Sequence, residues 1–193
     1  MIPIASLRPP MKKMKRTIIH ARFWKTCWAV TRYIPRAFVV KRVHGLDFYK
    51  LESIDRFINR VKSVRPNSTR QWGTMSPAGM LHHLNLAVGG ALGYYQLEDE
   101  SYYLGRTVFK WILVDWYSEQ PLGLRLPLSF VIPADKQFDF EYEQKKLVEI
   151  ITAAGSATAK DFGPHPFFGK MSVKQWGKLY TMHVDYHFRQ FSA

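Results

Sequence analysis

The fold is decided by residues 171–191, MSVKQWGKLYTMHVDYHFRQF. Ser172 can cap the first turn of a helix, and Gln175, three residues on, can reach back to the cap. Met171 and Trp176 occupy the two positions of a hydrophobic staple. Trp176, Leu179, Tyr180, His183, His187 and Gln190 recur at spacings of three and four, so they share one helical face. That face begins apolar and carries two imidazoles near its end. His183 and His187 are about 6 Å apart along the axis, a separation at which two neutral imidazoles can ligate one metal ion. The same spacing also arises where histidines merely pack or meet solvent, so a metal requires a third ligand from elsewhere.

Working back from this helix, Phe140, Gln144, Leu147 and Ile151 are in helical phase, with Gly155 as a stop. The loop 156–170 between the two helices contains Gly163-Pro-His-Pro-Phe-Phe-Gly169. Upstream, Ser76 caps a helix that has Pro77 at its first position, where a missing N–H costs nothing. Met75 and Met80 could staple it. Gly89, Gly90 and Gly93 weaken it without ending it, so it is expected to run to about Tyr95. The first helix of the body holds Leu51, Ile54, Ile58 and Val61 in register, with Phe57 and Val64 beside them, and Pro66 closes it. Residues 101–116 read as a short apolar helix packed on the others. Residues 120–133, with three prolines, read as an extended connection. Four amphipathic helices with one long crossover predict an all-α fold, a four-helix bundle.

His82 and His83 on the second helix supply the candidate third ligand. With Met80 at zero, Leu84, Ala87, Val88 and Ala91 fall between roughly −20° and +80° at the ~3.6-residue period. His83 falls near about −60°, at the edge of that face, and His82 near about 200°, on the opposite side. His83 is the inward candidate, and His82 is expected to meet solvent. His83, His183 and His187 would together offer three ligands and leave a position open, the catalytic rather than the structural pattern. The alternative is three unrelated histidines. His165, between two prolines, is expected to form a turn or lie at the surface, with the mouth of a pocket as the other reading. Asp185 turns about 200° away from His183 and is a poor base. Tyr180, Tyr186, Asn85 and Gln190 could support the site or simply pack.

Other classes are excluded or weakened. The chain has 193 residues, 47% of them hydrophobic, enough for a globular core. Its one cysteine, Cys27, rules out an internal disulfide framework and a cysteine-based zinc site, and suits the cytoplasm. Val184 stands where the zinc-protease motif His-Glu-x-x-His needs glutamate, and no Walker loop, Gly-x-Gly-x-x-Gly or Gly-x-Ser-x-Gly is present. The net charge of +13 is unevenly placed: residues 1–46 hold eleven Lys or Arg and no acid, leaving seventeen basic against fifteen acidic residues in 47–193. The body is therefore nearly neutral and no specific nucleic-acid binding is expected of it. The extension 1–46 is expected to be a disordered or accessory segment upstream of the domain, an organelle presequence, a segment contacting nucleic-acid phosphates, or else a membrane-surface helix contacting anionic lipid, which would make the protein membrane-associated. Its apolar run is broken by charge, so it cannot span a bilayer.

The motifs Gln71-Trp-Gly-Thr-Met-Ser-Pro-Ala-Gly-Met-Leu-His-His83, His165-Pro-Phe-Phe-Gly-Lys-Met171, Gln175-Trp-Gly-Lys178 and His183-Val-Asp-Tyr-His-Phe-Arg-Gln-Phe191 resemble the DinB/YfiT-like superfamily. More closely, they resemble an uncharacterised bacterial branch of it, a domain of unknown function. The similarity covers about residues 47–191. It implies a four-helix bundle in which one histidine of the second helix and two of the last hold a divalent ion (zinc, nickel, manganese or iron). Those positions map to His83, His183 and His187. Characterised relatives are thiol transferases, isomerases using low-molecular-weight thiols, and hydrolases, so the resemblance implies a small-molecule substrate. Homodimers are common among bundles of this kind.

Overall fold

More than half of the last helix is buried in the structure. In a computed structural model that describes Phe48 and residues 50–117, 119–120, 127–158 and 161–193, four α-helices are ordered along the chain: α1 Leu51–Ser63, α2 Pro77–Gly89, α3 Phe140–Ser156 and α4 Val173–Gln190. No β-strand occurs among the described residues. The architecture is all-α, and the helices pack as a bundle: α3 lies against α1 and α2, and α4 closes the other side against the same two. The extension 1–46, with the disorder and membrane-helix readings attached to it, lies outside the described residues, as do residues 121–126 of the crossover. No described helix is long and apolar enough to cross a membrane.

Local sequence sets each helix. Ser172 Oγ accepts from the backbone N–H of Gln175, and the Gln175 side chain accepts from the Ser172 N–H, so the capping box closes at 3.2 and 3.0 Å. Ser76 and Asp139 cap α2 and α3 in the same way. α2 ends at Gly89 rather than continuing to Tyr95. The Tyr94 N–H turns back onto the Gly89 carbonyl at 3.0 Å. A Cβ at Gly90 would meet Leu97 Cδ1 at 2.1 Å, so the glycines let the chain reverse against its own helix.

The core is continuous through the bundle. Phe48 stacks on Phe57 and meets Tyr180, joining α1 to α4. Tyr180 donates to the Val88 carbonyl of α2 at 3.0 Å, and Gln144 of α3 donates to the α1 carbonyls of Val61 and Val64. On α4 the buried residues include Met182, Val184, Tyr186 and Phe188 as well as Trp176, Tyr180, His187 and Gln190 of the face read from the sequence, while Leu179 and His183 are half-buried. Asp185 points away from the histidines and pairs with Arg60 at 2.6 Å and Arg189 at 2.8 Å.

Two irregular segments finish the bundle. Residues 103–116 form a wide helix with two π-helical runs, Gly105–Phe109 and Trp111–Trp116, whose inner side packs on α4. A short 3-10 turn, Leu128–Phe130, follows the crossover and packs on α2. The capping box gives a direct stability test. Ser172→Ala should cost about 1 kcal/mol, a fall in melting temperature of about 2–4 °C for a chain of this size, measured by circular dichroism.

Candidate metal centre

The caps fix the phase of α2 and α4, and that phase turns three imidazoles toward one point. The ring nitrogens of His83, His183 and His187 all lie within 4.8 Å of one another. His83 Nε2 and His183 Nε2 are 2.9 Å apart, and the ring centres of His83 and His183 stand 4.6 and 4.7 Å from that of His187. His187 is buried, whereas His83 and His183 are half-buried, so the cluster keeps a side toward solvent.

Neighbouring groups fix which nitrogens carry protons. The Phe130 carbonyl can only accept, so His83 Nδ1, 2.6 Å away, donates to it and the Nε2 lone pair faces the cluster. The amide nitrogen of Gln190 donates to the Trp72 carbonyl at 2.6 Å, which turns Oε1 to His187 Nδ1 at 3.0 Å. His187 Nδ1 therefore donates, leaving its Nε2 as a free base. Two Nε2 lone pairs at 2.9 Å repel unless a proton or a cation sits between them. Three neutral imidazoles, two of them with oriented outer partners, match the donor set of a divalent transition ion.

Electrostatics keeps the rings neutral. Burial lowers the pKa of His83 to about 4, with the Phe130 hydrogen bond opposing and His82 adding a smaller depression. Burial also places His183 and His187 well below the ordinary histidine value, reinforced by the other imidazoles. A site built this way is deprotonated and ready to ligate at neutral pH.

Two other histidines lie elsewhere than the sequence suggests. His82 is partly exposed but more covered than the wheel suggests: its ring stacks on Phe138 with centroids 4.1 Å apart, and its Nδ1 lies 2.9 Å from Glu143 Oε1. Asn85 Nδ2 holds the other Glu143 oxygen at 2.7 Å. The wheel of α2 alone cannot show this, because the covering groups come from the start of α3 and the chain before it. His165 is neither surface nor pocket mouth but a buried turn residue. Its Nδ1 accepts from the N–H groups of Phe167 and Phe168 at 3.0 and 3.1 Å. The backbones of His165 and Gly169 exchange two 2.9 Å hydrogen bonds, closing the loop. Its ring packs on Trp176 and Phe130.

Phe130 is the supporting residue that the sequence did not reveal, because its contribution is a backbone carbonyl. Glu100 holds that turn by accepting from the N–H groups of Leu128 and Ser129 at 2.8 and 2.7 Å.

The buried histidines make the metal-free protein acid-sensitive. Burial lowers His165 to about 3 and His83 to about 4. Both stay neutral in the folded chain while the unfolded chain binds their protons below about pH 6.5. Stability is therefore full above that pH and falls as pH drops toward the folded values. At pH 4.5 these two groups together should cost about 5 kcal/mol, a large share of ordinary stability. His165→Asn, whose Oδ1 can still accept the two N–H groups, should flatten this fall by about one proton in a pH series of urea melts.

Residues 42–193 match the model of a family described as "Protein of unknown function (DUF1569)". The match spans most of the chain, and the chain belongs to that family. No curated protein and no solved structure matches it.

Proposed function

We propose that this member of a family of unknown function is a metal-dependent enzyme of the DinB-like kind, acting on a small molecule in the cytoplasm. The observation that carries the reading is the convergence of His83, His183 and His187 within 4.8 Å, on a side not wholly closed to solvent. A divalent ion held there supplies Lewis acidity and lowers the pKa of water or a thiol at its open position.

The protein's own groups divide the remaining work. Phe130 and Gln190 hold the His83 and His187 rings by their outer nitrogens, which sets the direction of both lone pairs. Tyr186 and Trp72 wall the His187 side with edge-on aromatic contacts and limit water there. No carboxylate joins the cluster among the described residues. Glu143 is held by His82 and Asn85, and Asp185 by two arginines. Hydrolysis would ordinarily call for such a base. A low-molecular-weight thiol needs less help, since its thiolate is already a strong nucleophile, so thiol transfer is the favoured chemistry. The missing base also fits a second reading, a metal- or ligand-binding bundle without turnover, and metal-dependent thiol consumption separates the two.

Elemental analysis of tag-free protein should find about one divalent ion per chain after incubation with zinc, nickel, manganese or iron, and none in His83→Ala/His183→Ala. A wild-type protein that takes up no ion would end the enzyme reading. Gln190→Met should retain the site but weaken metal affinity by roughly 10–100-fold in a chelator competition, because His187 loses the acceptor that fixes its tautomer.

A further inference from the structure

The wide helix 103–116 is apolar on both sides, and its inner side packs on the bundle. Gly105, Phe109, Leu113 and Val114 are buried against the body. Facing out are Tyr103, Val108, Trp111 and Trp116, exposed to 79, 45, 56 and 40%. Tyr103 and Val108 are five residues apart, as are Trp111 and Trp116. Five is the hydrogen-bond step of a π-helix, so each pair lines up along the axis. Trp111 and Trp116 stack on each other with centroids 5.3 Å apart. Four large apolar side chains exposed on one short helix mark a candidate interaction surface.

The rim of the strip is basic. Lys110 reaches the Lys170 carbonyl, and Lys178 reaches the Asp115 carbonyl. Lys174 lies close enough to Lys178 to add to the lowering of its pKa that burial begins. Arg106 completes the rim, half-exposed and paired with Asp99. The acid within the strip, Asp115, is taken up by the Gln175 amide at 3.1 Å.

We propose that the outer face of residues 103–116 docks on an anionic lipid bilayer, with Tyr103, Val108, Trp111 and Trp116 entering the headgroup boundary and the lysines of the rim contacting lipid phosphates. Tyrosine and tryptophan favour that boundary because their rings are apolar and their edges polar. The charge at the rim favours it too: a second copy of this chain would bring the same lysines and Arg106 to the contact, whereas an anionic surface complements them. The tryptophans stack on each other, which uses ring faces that a single-stranded nucleic acid would need for its bases. Nothing spans the bilayer in this arrangement: the face lies on the surface. The surface belongs to the helical body and is distinct from the extension 1–46.

The test is flotation of the full-length protein with vesicles of phosphatidylcholine containing 30% phosphatidylglycerol, against pure phosphatidylcholine. Binding should require the anionic lipid and weaken between 0.1 and 0.5 M NaCl. Trp111→Ser/Trp116→Ser should lower the partition coefficient roughly tenfold or more, with helicity and metal uptake unchanged. Should that variant misfold, bromine-labelled lipids should quench tryptophan fluorescence of the wild type, and Trp111→Phe/Trp116→Phe should lose the quenching. Several results would overturn the proposal: no binding by the wild type, binding by the extension alone so that both variants bind as before, a dimer that the variants convert to monomer without any lipid binding, or capture of single-stranded oligonucleotide instead of vesicles.

Discussion

Three imidazoles can share one small volume inside a bundle only if they are uncharged, and that constraint organises the rest of this structure. Any two protons too many would place like charges within 4.8 Å in a medium that solvates them poorly. The protein meets the constraint by burial and by fixing the ring proton of two of the three. The Phe130 carbonyl accepts from His83 Nδ1–H, and Gln190 Oε1 accepts from His187 Nδ1–H. Both partners are then held in turn. Glu100 anchors the turn that presents Phe130, and Trp72 anchors the Gln190 amide. A Cβ at Gly73 would come within 2.5 Å of the Gln190 amide nitrogen, so the chain beside Trp72 must lack a side chain for Gln190 to lie there.

The same physical terms explain what could be read in the sequence. His83, rather than His82, could be chosen from the wheel of α2 because the apolar residues on that helix define the core side. His183 and His187 were legible from their spacing. The starts of α2 and α4 were legible because caps are local: Ser76 and Ser172 each bond within their own first turn. The covered side of His82 was not legible, since Glu143 looks like an exposed first-turn acid of α3 until that helix is docked. Its buried face runs through Glu143, Leu147, Ile150 and Ile151, offset from the Phe140–Gln144 line that periodicity suggests.

The turn at His165 was legible, but its burial was not, for a related reason. Flanking prolines do predict a turn, and a turn is what forms. Whether such a turn faces water or the core depends on what approaches it, here Trp176 and Phe130. Once inside, a neutral imidazole is a better filler than an amide-free residue because its Nδ1 satisfies two N–H groups that would otherwise be buried without acceptors.

A single layer of chain lies between the histidine cluster and the wide helix 103–116. The His165–Gly169 loop packs Phe167 against Tyr102 and Phe109 on that helix, and a Cβ at Gly105 would strike the Phe167 carbonyl at 2.8 Å. On its other side the loop packs the His165 ring on Phe130, whose carbonyl orients His83. Glu100 ties the same layer together: its N–H donates to the Pro166 carbonyl while its carboxylate holds the 128–130 turn. The hydrogen bonds of this layer leave its loops little freedom, although loops are usually the loosest part of a bundle. α2 places the His83 side chain, but the proton position of its ring is set from a braced connection, and the bracing depends on close backbone approach at Gly105. A larger residue there would push on the Phe167 carbonyl first, and through the loop and Phe130 on the imidazole whose lone pair the site needs.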